Sequence, residues 1–325
     1  MSSGPRLLSV SGAARLPKLL AVSALLAFVL TNPLQGQLFV SDNFDDGNDN
    51  GWSHYDPLAP FGLSASYTVV NGAYRVRTPY VTGMSANPGR AGTLRPEIYS
   101  DFYVAVDIVN WDNTLPQSAG LLARIRNAGL QTTTGYAFTW DRGNPTNTTS
   151  GDVDISRITG EAPSGVTVNG SDAIHFQPGK SYRLVFVGRG ANLEGRVYEL
   201  PNVTSPVVVI AGIDATYSDG QNGMVVFDNS GGRAQTDTTF DNYYATDVEP
   251  PSLHVESLFF GFYRLSWPLD RPQFVLERST VLPGTATDWQ TVTGVTQDPN
   301  SGIFFFDFDT TQDGDRNFYR LVRRQ

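Results

Sequence analysis

Tyr67-Thr68-Val69-Val70-Asn71-Gly72-Ala73-Tyr74-Arg75-Val76-Arg77 reads as two alternating runs of β-formers joined by Asn-Gly. That dipeptide accepts the two positive φ angles of a type I′ turn, so the stretch predicts a β-hairpin. Outward from it the same grammar repeats. Short alternating segments bounded by Gly, Asn, Asp and Pro recur at Phe102 to Trp111, Gly120 to Arg126, Gly135 to Trp140, Asp152 to Ile158 and Tyr182 to Gly188. They continue at Leu193 to Leu200, Val207 to Ile213, Gly223 to Asp228 and Thr238 to Ala245, and helical periodicity is nearly absent.

The chain is therefore all-β, and ten or so strands in about 210 residues suit a two-sheet jelly roll. Asp247-Val-Glu-Pro-Pro-Ser252 interrupts the pattern with two prolines that cannot donate to a ladder, and reads as a linker. Residues 253 to 325 then hold six short candidate elements: Leu253 to Phe259, Phe262 to Trp267, Phe274 to Ser279, Trp289 to Val295, Ile303 to Phe308 and Phe318 to Val322. That count fits a small β-sandwich of the fibronectin or immunoglobulin-like kind, without cysteines.

At the other end, the apolar run Leu19 to Leu30 follows Arg6, Arg15 and Lys18 and precedes the turn-prone TNPLQGQ. This is the order of a signal peptide with its short signal helix, and the expected mature chain begins near Gln37. The run is shorter than the ~20 residues that span a bilayer, and the alternative is an uncleaved N-terminal anchor. The protein is expected to be secreted or displayed at the cell surface, with no transmembrane span in the mature chain. Without those three basic residues the chain carries 20 basic against 32 acidic groups. A nucleic acid would be repelled. With no Cys, thiol catalysis, thiolate metal sites and disulfides are excluded.

Asp42-Asn-Phe-Asp-Asp-Gly47, Gly51-Trp-Ser-His-Tyr-Asp56, Gly223-Met-Val-Val-Phe227 and Thr239-Phe-Asp-Asn-Tyr-Tyr244 resemble the laminin-G-like, concanavalin A-like jelly rolls of secreted bacterial proteins. The resemblance covers residues 37 to 246 and implies that the first and last strands lie side by side. Leu265-Ser-Trp-Pro268, Phe274-Val-Leu-Glu-Arg-Ser279 and Phe318-Tyr-Arg-Leu321 resemble a small C-terminal β-module of exported proteins of environmental bacteria.

Two sites are expected. Asp46-Gly-Asn-Asp-Asn-Gly51 has the front half of a calcium loop, with oxygen ligands at alternate positions and a Gly for the turn. Asp46, Asn48 and Asn50, completed by Asp241 from the closing strand, form a candidate Ca2+ site; the alternative is a solvated loop in which Asp and Asn support turns. A second acidic turn, Asp309 to Asp315, reads first as a hairpin. For the ligand, strand parity puts Tyr103, Asp107 and Trp111 on one face, and Arg124 and Arg126 on the corresponding face of the next strand. Aromatics with carboxylate and guanidinium groups suit an extracellular glycan; the alternative is a solvent face of cross-strand ion pairs. Trp52, His54 and Tyr55 either line a rim or plug the end of the sandwich.

Catalytic patterns are thin. There is no H-E-x-x-H, G-x-S-x-G or phosphate loop, and His54, His175 and His254 have no ligand spacing. Asp152-Val-Asp154 puts two carboxylates on one strand face but lacks a third acid. The expected function is non-catalytic glycan binding, with a structural or adhesive envelope protein as the alternative and a divergent carbohydrate-active enzyme using Asp152, Asp154 or Asp107 third.

Overall fold

The hairpin forms as its turn chemistry requires. Ser66–Val70 pairs with Ala73–Thr78, and Asn71 and Gly72 sit at φ 54° and 73°. The computed structural model describes residues 39–80, 88–143, 151–166, 172–230, 235–259, 261–281, 289–310 and 317–323. The apolar run of the expected signal peptide and nearly all of the acidic turn 309 to 315 lie outside them.

All strand pairs described are antiparallel. The first sheet runs Val208–Ile213, Asn192–Glu199, Tyr182–Arg189, Phe102–Trp111, Thr236–Thr246, Ala73–Thr78 and Ser66–Val70, with Phe39–Asp42 also on Thr236–Thr246. The second runs Ala162–Gly165, Asp152–Thr159, Thr134–Asp141, Gln117–Arg126, Gly220–Asp228, Arg90–Tyr99 and Ser53–Tyr55, with Asp172–Ala173 on Asp152–Thr159. Phe39 faces Thr246 and Asp42 faces Tyr243, so the first strand does lie beside the last.

Period-two alternation explains the core between the sheets. Phe102, Val104, Val106 and Ile108 from the first sheet meet Ala119, Leu121, Ala123, Tyr136, Phe138 and Trp140 from the second, all buried. Apolar side chains of this size each contribute about 1.5–3 kcal/mol on burial.

Residues 254–323 build two further sheets, one of four strands and one of three. Between them Leu265, Trp267, Leu276 and Phe304 form a core with no member before Leu253. Gln37–Gln325 groups as one compact unit, within which the two sets of sheets keep these separate cores. Of the expected strand Trp289 to Val295 only Gln290–Thr291 forms, and a further short strand, Thr296–Asp298, follows just beyond it. No helix among the described residues is long and apolar enough to cross a membrane.

Candidate functional site

The outer face of the second sheet carries a groove of about 370 Å3. Residues directly opposite one another in an antiparallel sheet share a face, so the register builds it in rows. One row crosses five strands as Arg90, Phe227, Ser118, Asp141 and Asp152. The next runs Tyr55, Gly92, Val225, Gly120, Thr139 and Asp154. A third brings Leu94, Gly223, Leu122, Ala137 and Ser156. Gly92 and Gly120 in the middle row put no side chain on this face, where the neighbouring backbone comes close. A Cβ on Gly120 would stand 2.2 Å from the carbonyl oxygen of Phe138, so no other residue fits there.

The floor is apolar: Leu122, Ala137 and Val225 line it, and Leu94 and Ile125 complete their buried cluster. Half-buried Phe227 offers an aromatic surface. Two polar walls flank it. At one, Arg90 donates through Nε (2.9 Å) and Nη2 (2.6 Å) to Glu161, and through Nη1 to the carbonyl of Pro88 at 3.0 Å. Tyr55 Oη and the Gln131 amide also donate to Glu161. Glu161 stands at φ 68°, a costly conformation for a residue with a Cβ, held by these bonds. Burial alone would raise its carboxyl, but Arg90, Gln131 and Tyr55 together hold it below the usual range.

At the other wall, Asp141 accepts from the Gly143 amide at 2.7 Å and from Asn229 Nδ2. Asp154 accepts from Thr139 at 3.1 Å and Ser156 at 2.6 Å. Burial raises the Asp141 carboxyl, and Asp152 and Asp154 raise it further, against the Gly143 amide. The arrangement presents a flat apolar strip between hydrogen-bonding rims, which is how an extended polyhydroxylated ligand is held.

The expected ligand face is not assembled. Trp111 is 7% exposed and packs edge-on to Trp140 and Phe176 in the core. A bulge is the cause: Asn110 pairs with Thr239 but Ile108 with Phe240, so Val109 is extra and every residue after it changes face. Asp107 is 2% exposed and consumed by Arg183 (2.7 and 2.9 Å) and Asn242 (3.0 Å). Arg124, at φ 51° in a second bulge, is 1% exposed and donates to the carbonyls of Ser100, Gly190 and Tyr217. Arg126 is exposed on the second sheet, paired with Asp219. Tyr103 and Asp107 thus belong to the first sheet, Arg124 and Arg126 to the second.

The side chains of the expected calcium loop are engaged in local turns. The Asp46 and Asn48 side chains accept the Asn48 and Asn50 amides at 3.2 and 2.9 Å, as in Asx turns. The carboxylates acting most strongly on Asp241 are Asp107 and Asp45 rather than Asp46. Among the described residues no three His, Cys, Asp or Glu side chains form a metal-holding group. Asp46 and Asn50 instead line a cleft of about 1000 Å3 with Tyr103, Arg95, Arg183 and Arg320. Trp52 plugs the sandwich against Phe44, Tyr74 and Tyr243, while Tyr55 reaches the groove.

Sequence reasoning missed Phe227, Tyr55, Asp141, Arg90 and Glu161 as a group. The parity that paired Asp152 with Asp154, carried across to Val225 and Phe227, was the signal for the face. Its neighbour strand Arg90–Tyr99 gave none, because its apolar residues do not alternate.

No protein-family profile and no curated protein matches the chain. Among solved structures it is similar to a carbohydrate-binding module from Bacillus subtilis at 18% identity, covering 61% of this chain and 97% of that one, with a TM-score of 0.42. It is also similar to lectin II from Ulex europaeus (12%, 64% and 97%, TM-score 0.43). A third is the exoplasmic/lumenal domain of VIP36 in its Ca2+/Man3GlcNAc-bound form (10%, 65% and 89%, TM-score 0.44). By its own strand order, the larger part of the chain is a two-sheet antiparallel jelly roll. Its groove lies on the sheet that does not contain the first and last strands.

Proposed function

We propose that the protein is an exported, non-catalytic binding protein that holds an extracellular glycan in the groove of the second sheet. The observation that carries the reading is the trough itself, with Phe227 and an apolar floor between rims of carboxylates, hydroxyls and the Asn229 amide. Sugar rings stack their apolar faces on aromatics while planar side chains take their hydroxyls. Glu161 is locked in its ion pair with Arg90, which suits a wall better than a proton donor.

A glycan-array screen of the full chain tests the reading, with binding to at least one oligosaccharide expected. An array without a hit would leave the protein as an envelope component working through protein contacts. Release of reducing sugar from a bound polysaccharide would instead make it an enzyme. Export rests on the basic start and apolar run, and N-terminal sequencing from the host should begin near Gln37.

A further inference from the structure

We infer that the groove selects glycans bearing protonated amines, of the glucosamine-oligomer class, over neutral glycans of the same backbone, and rejects uronates. This rests on the glycan reading above and adds the chemistry of the ligand. The groove is lined by four carboxylates, Asp141, Asp152, Asp154 and Glu161, against one guanidinium, Arg90. Arg90 is 7% exposed and all three of its nitrogens are engaged by Glu161 and Pro88, so it offers nothing to an anionic sugar. Arg157, on the strand of Asp152 and Asp154, is turned to Asp214 at 2.9 Å.

The opposite wall has the reverse deficit. Asp141 and Asp154 are hydrogen-bonded by an amide, a carboxamide and two hydroxyls, all neutral donors. Asp141 lies opposite Asp152, and Asp154 follows two residues on along the same strand face, so three carboxylates gather at this wall. They do not form a metal-holding group among the described residues. A wall of carboxylates in which Asp141 and Asp154 are served by neutral donors is matched by a ligand that carries cations on its sugar rings and whose ammonium protons bond to carboxylates. A uronate would bring like charges together in a partly desolvated site.

Calorimetry on the full chain tests this with a glucosamine hexamer against cellohexaose, which has the same β-1,4 backbone with a hydroxyl in place of each amine. Oligogalacturonate and hexalysine serve as further probes. The amine oligomer should bind about tenfold tighter than cellohexaose at about 0.05 M salt, the gap narrowing severalfold at about 0.5 M. Oligogalacturonate should not bind. Asp141→Asn and Asp154→Asn should each bring the ratio of the two affinities toward one, with thermal melting reporting that the variants are folded. Equal or tighter binding of cellohexaose, binding of the uronate, or hexalysine binding as tightly as the amine sugar would overturn the inference. Neutral glycans binding without an amine advantage would remove this inference alone; no glycan binding at all would remove the functional reading with it.

Discussion

Trp111 shows how one extra residue redirects a side chain. Period-two reading places it outside with Tyr103 and Asp107, and the bulge at Val109 returns it to the core, where it meets Trp140, Phe176 and Tyr182. Trp111→Ala should therefore cost about 3–5 kcal/mol in urea unfolding; an unchanged midpoint would mean the ring is not core. Asp241 makes a second case. Burial first, then Asp107 and Asp45, push its carboxyl up to about 6, with the Asn242 amide opposing. Between about pH 4, near the unfolded value, and pH 6 the folded state binds the proton more tightly. Stability from this group thus falls as pH rises through that window. Asp241→Asn should raise stability by about 1 kcal/mol at pH 7.5 after allowance for solvent screening, and by almost nothing below pH 4; an equal gain at both would contradict the assignment. Neither a bulge nor a carboxylate cluster leaves a mark in a single sequence, because both arise from pairing with a distant strand.

At the scale of strands, legibility follows alternation. The Asn71-Gly72 hairpin, the Phe102 strand as far as Ile108 and the presence of the closing strand were readable, since core-facing residues alternate over part of each. Arg90–Tyr99, with Pro96 and Glu97 where a strand should alternate, and Ser53–Tyr55, only three residues long, were not. Those two strands supply Arg90, Leu94 and Tyr55, so one side of the groove was invisible while the Asp152/Asp154 side was partly in view. Gly120 ties strand geometry to the groove. Gly120→Ala would press a methyl into the Phe138 carbonyl and should destabilise the sheet by about 1–3 kcal/mol. Its unfolding midpoint would stay in place if the trough tolerated side chains.

On the scale of the molecule, the two cores share no residue, and Glu249 is bound to Arg189 and Arg196 of the jelly roll before Pro250 and Pro251 begin. We propose that the domains are independent. A fragment of residues 37–249 should fold alone with a cooperative transition; aggregation or loss of cooperativity would show that the small sandwich completes its core. The groove lies wholly within that fragment. Phe227 is the aromatic surface on which the account depends, and its truncation leaves the rest of the trough in place. The deciding measurement is the affinity of Phe227→Ala for the array's best glycan, read beside its melting temperature. The account predicts a loss of about tenfold or more with the fold retained; unchanged affinity in a folded variant would contradict it.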